Sequence, residues 1–254
     1  MIKWDKLEEH LKIHHFYKID NEAKQNIVLF GNCHLLPITF FLNKLFKYGY
    51  NFIVIISWFY EKSFDLNELP MIDSEIHSIL SSADIFIFQR HFNSFGIHAN
   101  EITKYVNKNS TLIHIPNFML DYLLHKSTSF DMEILKNEFK SSLFRLSESI
   151  KESDFPEFSF IIENIYKVQF FNTIHHPTHF LLYLLSKSIY HMLIHNPVKT
   201  SITTYYDTNV RDEFFKLDKT GLIFLPGKVD MEPIHHEITG IHYGADYYDL
   251  TFLT

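Results

Sequence analysis

A single cysteine, Cys33, stands in 254 residues, so no disulfide can close within the chain and no cysteine-cluster metal site can be built. One cysteine fits a reducing compartment. Glycine is scarce, with seven residues, and no Gly-rich phosphate loop occurs. That excludes nucleotide binding of the P-loop or dinucleotide kind. Positive charge is also short: 23 Lys and Arg face 30 Asp and Glu, leaving a net charge of −7. No basic patch stands out to neutralise phosphates, so nucleic acid is not an expected partner. Long apolar runs are missing too. The most apolar helical stretch, about His179 to Ile194, is broken by Ser186, Lys187, Ser188 and His191, too short and too polar to span a bilayer. The amino-terminal run Met1 to His10 is charged and has no signal-peptide core. These absences lead to the expectation of a soluble, cytoplasmic protein with no transmembrane segment.

What is present is ample core material, 46% hydrophobic and 17% aromatic residues, in a chain long enough for one large domain. The 26 Phe follow a compositional bias and form no functional stripe. One stretch organises the rest: Asn26-Ile27-Val28-Leu29-Phe30-Gly31-Asn32-Cys33-His34-Leu35-Leu36-Pro37. The unbroken run Ile27 to Phe30 reads as a strand buried on both faces, as in a parallel sheet. It stops at Gly31, and helical spacing begins at Leu35 with Pro37 near its start. Gly31 to His34 is therefore a tight strand-to-helix turn at the carboxyl end of a strand, where ligands bind in open α/β sheets. Free N–H groups at a helix start favour negative charge. They predict a lowered Cys33 pKa and a hold for an oxyanion. Cys33 as a small buried hydrophobe is the competing reading.

Further along, Asn51 to Phe59, Ala83 to Phe88 and Thr111 to Ile115 read as strands, separated by a helix over 35–48, a short helix from Ser74 to Ser81, and helical spacing over Gly96 to Asn107. Residues 1–25 are expected to form a short helix leading into the first strand. Alternating strands and helices imply βαβ units. Helices are expected over 131–151 and 157–170, and a longer one from about His179 to His195. Residues 197–254 carry no assignable pattern. The fold class is α/β, a three-layer sandwich with a mostly parallel sheet, as one domain with a core over 26–195 and a carboxyl-terminal extension over 197–254.

Polar residues collect at three strand ends: Asn32-Cys33-His34, Gln89-Arg90-His91, and Asn117 after Pro116. Parallel strands place such ends on one edge. A fourth group, His175-His176-Pro177, precedes a helix, and Pro177 keeps His176 out of the helix body. A cysteine and such a histidine make a nucleophile–base pair. Gln89 and Arg90 also fit plain solvent-facing polarity at a strand end. His175, His176 and His179 match no zinc motif, so no metal site is assigned.

Taken in order, Gly31-Asn32-Cys33-His34, then Ala83 to Gln89, then Ile115-Pro116-Asn117, then Asn172 with His176-Pro177-Thr178 resembles the WcbI family over about residues 26–195. Those proteins act in capsular polysaccharide biosynthesis, bind coenzyme A, and are regarded as acetyltransferases on an SGNH-hydrolase-like, flavodoxin-like fold. Where the family usually has Gly-Asn-Cys-Gln, this chain has His34 in fourth place. The resemblance implies Cys33 as nucleophile or oxyanion-site residue, His176 as general base, and Asn32 and Gln89, with the N–H groups at 33 and 34, as oxyanion donors. It implies coenzyme A, as acetyl-CoA, as the acyl donor, with Gly31, His34, Arg90, Asn117 and His175 on the cofactor side and a glycan as acceptor. An esterase or deacetylase on the same scaffold, and a non-catalytic glycan-binding protein, are the competing functions. The extension could cap the site, add a strand, or join copies of the chain as a homo-oligomer.

Overall fold

The computed structural model describes residues 9–11, 13–14, 16–57, 74–89, 102–120, 132–165, 168, 170–173 and 176–218. The chain divides into two compact units, Met1–Ile115 and Pro116–Thr254.

The first unit is an α/β fold on a five-stranded sheet. Its elements are β1 (Phe16–Ile19), β2 (Asn26–Gly31), α1 (Leu35–Leu45), β3 (Asn51–Ile56), α2 (Ser74–Ser81), β4 (Ile85–Gln89) and β5 (Thr111–Ile115). The strand order is β1-β3-β2-β4-β5, with β3, β2, β4 and β5 parallel and β1 antiparallel on the edge. The strands β3 and β4 are buried at every residue, which is why they read as continuous apolar runs rather than alternating ones. From β2 the chain steps outward to β3, then returns past β2 to β4. With right-handed crossovers, this reversal puts α1 and α2 on opposite faces. Ile76 and Leu80 of α2 share a core with Val28, Phe30, Ile53, Ile55, Phe86 and Phe88. Ile27, Leu29, Phe52, Val54 and Ile87 alternate to the other face, where α1 buries Leu35, Ile38, Phe41 and Leu42 completely. The reversal also creates a topological switch point between β2 and β4, and the chain leaves β2 there through Asn32 and Cys33.

The opposite ends of the strands are laced by asparagines. Asn51 Oδ1 accepts from the N–H groups of Asn21 (3.0 Å) and Ala23 (3.1 Å), while its Nδ2 donates to Ala23 O (2.8 Å) and Asn26 Oδ1 (3.1 Å). Asn26 N donates to Asp84 Oδ2 at 2.8 Å, joining the starts of β2 and β4. These side chains satisfy loop N–H groups that the sheet ladder leaves unpaired.

The second unit contains α3 (Met132–Glu152), α4 (Phe160–Asn164), β6 (Phe171–Thr173), β7 (His176–Pro177), α5 (His179–Leu193), α6 (Ile202–Tyr206) and α7 (Thr208–Asp218). Phe158 packs its ring against Phe118 (5.4 Å between centroids) and Phe160 (5.8 Å), and Phe160 meets Phe170 at 5.7 Å. The strands β6 and β7 pair antiparallel, with Phe171 opposite Pro177 and Thr173 opposite His176.

Several expectations change. Phe16 to Ile19, expected within a helix, is an edge strand, because β3 offers it a full antiparallel register. Over 96–107, Thr103–Tyr105 forms a single 3-10 turn and residues 96–101 lie outside the described residues. The helix expected over 157–170 is a 3-10 turn at Pro156–Ser159 followed by the short α4. Residues 201–218, without an assignment from sequence, fold into α6 and α7, and 219–254 lie outside the described residues. Among the described residues, no helix is long and apolar enough to cross a membrane.

Candidate active site

The switch point is built around one glycine. A Cβ on Gly31 would run into Gln89 Oε1 and lie 3.1 Å from both Cβ and Cδ of Gln89. Glycine is needed here for close approach. Gln89, 1% exposed at the end of β4, thereby passes the end of β2 and accepts a hydrogen bond from Asn32 N–H at 3.0 Å. A backbone N–H can only donate, so the Gln89 atom facing it is the carbonyl oxygen and the amide's donors lie on Nε2. The same logic holds one step along the turn. His34 N–H donates to Asn32 Oδ1 at 2.9 Å, so the donors of Asn32 lie on Nδ2. Two side-chain amides thus have their oxygens committed to the backbone of one turn.

The backbone itself is also committed. Leu35 N–H donates to Asn32 O (3.1 Å), Leu36 N–H to Cys33 O (3.2 Å), and Pro37 has no N–H to offer. The helix start expected to aim open N–H groups at Cys33 spends them within the turn. His34 N–H, expected as an oxyanion donor, is occupied by Asn32. Burial outweighs the backbone at the thiol. Although Cys33 as a residue is partly exposed, desolvation pushes its thiol up to about 12. Its own backbone N–H pulls weakly the other way. The expectation of a lowered pKa is therefore reversed, and Cys33 is a neutral thiol at physiological pH. His34 is buried, 1% exposed.

The structure thus brings Gly31, Asn32, Cys33, His34 and Gln89 to one end of β2 and β4. Asn117 and His176 belong to the other unit. Asn117 N–H donates to Ser149 Oγ at 2.8 Å, which ties the segment after β5 to α3. The backbone of His176 lies on β7, paired with Thr173, and outside the body of α5, which starts at His179. Arg90, His91 and His175 lie outside the described residues. Thr178, which the sequence motif includes without a role, is the residue after Pro177. It caps α5 by accepting from Leu181 N–H at 3.2 Å, and its own N–H donates to Phe170 O at 2.8 Å. A threonine directly before an apolar helical run was the available signal.

No family model matches this sequence, and no curated protein matches it. Among solved structures the chain is similar to one described as WcbI, a novel polysaccharide biosynthesis enzyme, in its native form without a disulfide between CoA and a cysteine. The TM-score is 0.44 and the identity 11%, over 69% of this chain and 71% of that one.

Proposed function

We propose that this chain is a CoA-dependent O-acetyltransferase that acylates a sugar hydroxyl in surface-polysaccharide biosynthesis. The observation that carries the reading is the pair of amides, Asn32 and Gln89, locked by their oxygens to the turn that holds the chain's single cysteine. The ordered motifs from Gly31 to Thr178 support the choice of family. Coenzyme A, when bound, supplies an activated thioester. The described residues fit that end of it. Nδ2 of Asn32 and Nε2 of Gln89 are neutral donors suited to the negative charge that grows on an acyl oxygen, and no carboxylate stands among Gly31, Asn32, Cys33, His34 and Gln89 to oppose it.

The neutral thiol favours direct transfer over a covalent acyl-Cys33. In this reading His176 takes the proton of the sugar hydroxyl as its oxygen bonds to the acyl carbon. The carbon–sulfur bond of the thioester then breaks, and His176 returns the proton to the departing sulfur. The products are an acetyl ester and free coenzyme A. Cys33 shapes the pocket beside the acyl group without ionising. Arg90 and His175 are assigned to the anionic parts of the donor, where a guanidinium fork suits phosphate.

The test is transfer of labelled acetyl from acetyl-CoA to a panel of sugars. Gln89→Ala should lower turnover by about 10²-fold or more, as removal of an oxyanion donor does. His176→Ala should abolish most of it, whereas Cys33→Ala should retain measurable transfer. If acetate esters are hydrolysed without CoA faster than any sugar is acylated, the chain is an esterase.

A further inference from the structure

The corner where α6 meets α7 carries exposed polar and aromatic side chains to which the acyl-transfer reading gives no work. A cavity of about 680 Å³ opens there, lined by Ile202, Thr203, Tyr206, Asp207 and Thr208. Small-molecule sites run to roughly 300–1,000 Å³. Ile202 and Thr203 lie four and three positions before Tyr206, so all three share one side of α6.

The corner is held firmly from within. Asp207 N–H donates to Thr204 O (3.2 Å), Arg211 N–H donates to Asp207 O (3.0 Å), and Arg211 Nε donates to Tyr205 O (3.1 Å). Tyr205, 3% exposed, rests against the rings of Phe170 (4.9 Å between centroids) and Phe180 (5.1 Å). Tyr206 meets that anchored ring edge-on, at 5.8 Å and 88°, and is itself 57% exposed. An aromatic ring is thus braced on one side and open to solvent on the other. Asp207 is fixed too: Oδ1 accepts from Asn209 N–H at 2.8 Å and from Val210 N–H at 3.4 Å. Its second oxygen keeps acceptor capacity, and the exposed Thr203 and Thr208 add two hydroxyls that each donate and accept.

These groups define what would fit. The ligand needs an apolar face for Tyr206 and Ile202, hydroxyl donors for the carboxylate, and acceptors for the threonines. An anion is opposed by Asp207 and by the net charge of −7. A cation is poorly served, because two N–H groups and the positive end of α7 already compensate the Asp207 charge. A sugar ring without charge has C–H bonds on its face and hydroxyls around its rim, and it meets every requirement.

We propose that the α6–α7 corner is a carbohydrate-binding subsite for a neutral sugar ring, stacked on Tyr206 and hydrogen-bonded through its hydroxyls to Asp207, Thr203 and Thr208. The inference goes beyond the acyl-transfer reading, which assigns none of these residues, and the subsite works without coenzyme A.

The test titrates the full chain, without coenzyme A, with neutral oligomers of glucose, galactose and N-acetylglucosamine, followed by saturation-transfer NMR and calorimetry. A galacturonate oligomer supplies the anionic comparison and tetramethylammonium the cationic one. At least one neutral oligomer should bind, and the galacturonate should not. Tyr206→Ala should weaken binding about tenfold, as loss of a central aromatic contact does. Asp207→Asn should weaken it about fivefold, because a charged acceptor becomes a neutral one. Both variants should stay folded, since Tyr206 is exposed and Asn caps a helix as well as Asp. The proposal is wrong if no neutral oligomer binds at millimolar concentration, if binding survives Tyr206→Ala unchanged, or if tetramethylammonium alone binds in a Tyr206-dependent way. Acetyl transfer without Tyr206-dependent sugar binding would overturn this proposal and leave the acyl-transfer reading standing. Tyr206-dependent binding with no transfer would do the reverse.

Discussion

Alkylation of Cys33 as a function of pH examines the site most sharply. The ordinary thiol value near 9.0 is raised to about 12 by burial, so at pH 8 the thiolate fraction falls on the order of a thousandfold below that of an open cysteine. A more basic thiolate is a better nucleophile, which returns roughly one order of magnitude. The net expectation is iodoacetamide labelling at least about tenfold slower than in a denatured control, before any loss of access is counted. The shape of the profile matters more than the rate. The logarithm of the rate should climb with unit slope from pH 7 through pH 10 and show no plateau near 9. Because the chain has one cysteine, the intact mass after timed quenching reports this residue alone. The same shift makes a statement about stability. The fold favours the neutral thiol, so this contribution is intact below about pH 9 and is lost as pH rises toward 12. Fast labelling at pH 7 with a plateau at or below pH 8 would refute the reasoning. It would show that the turn's N–H groups outweigh burial at the sulfur.

Other perturbations test the parts around it. Gly31→Ala drives a methyl into Gln89 and should cost about 1–3 kcal/mol in chemical denaturation, with loss of acetyl transfer, because the Gln89–Asn32 bond must open. Asn51→Ala removes four hydrogen bonds at the far end of the sheet and should cost about 3 kcal/mol while leaving the kinetic constants of the surviving folded enzyme unchanged. His195 sits at φ 55° after α5, in a Schellman arrangement where Asn196 N–H donates to His191 O at 2.8 Å. There His195→Gly should raise stability by about 1 kcal/mol, visible as a higher Tm. Glu213, paired with Lys187, has its carboxyl pKa held low mainly by that hydrogen bond. Its contribution is present above the ordinary carboxyl range and is lost as pH falls through the lowered value. Since the Glu213 side chain is 54% exposed, Glu213→Gln should cost under about 1 kcal/mol at pH 7 and nothing near pH 3.

What could be read in advance followed the range of the forces involved. Ser74 to Ser81 and the strand at Thr111 to Ile115 were legible because their apolar spacing is local and uncompromised. Gly31 was legible as a turn, but its reason, a glutamine arriving from 57 positions away in the chain, is a contact no local pattern encodes. The sign of the Cys33 shift is hidden from the sequence for the same cause. The N–H inventory of a helix start depends on which side chains reach it first, and Asn32 and Gln89 take two of those donors. The strand β1 was hidden because Phe-Tyr-Lys-Ile is too short to show a period, and its identity comes from β3.

The most direct measurement of the central claim is a thermal-shift titration of the full chain with acetyl-CoA, in wild type and Gln89→Ala. A ligand bound only by the folded state adds about 2.7 kcal/mol at 100 times its dissociation constant. The account predicts a saturable rise with acetyl-CoA in the wild type and a smaller one in Gln89→Ala, with free CoA affecting the two proteins alike. No rise in the wild type at millimolar acetyl-CoA would contradict it.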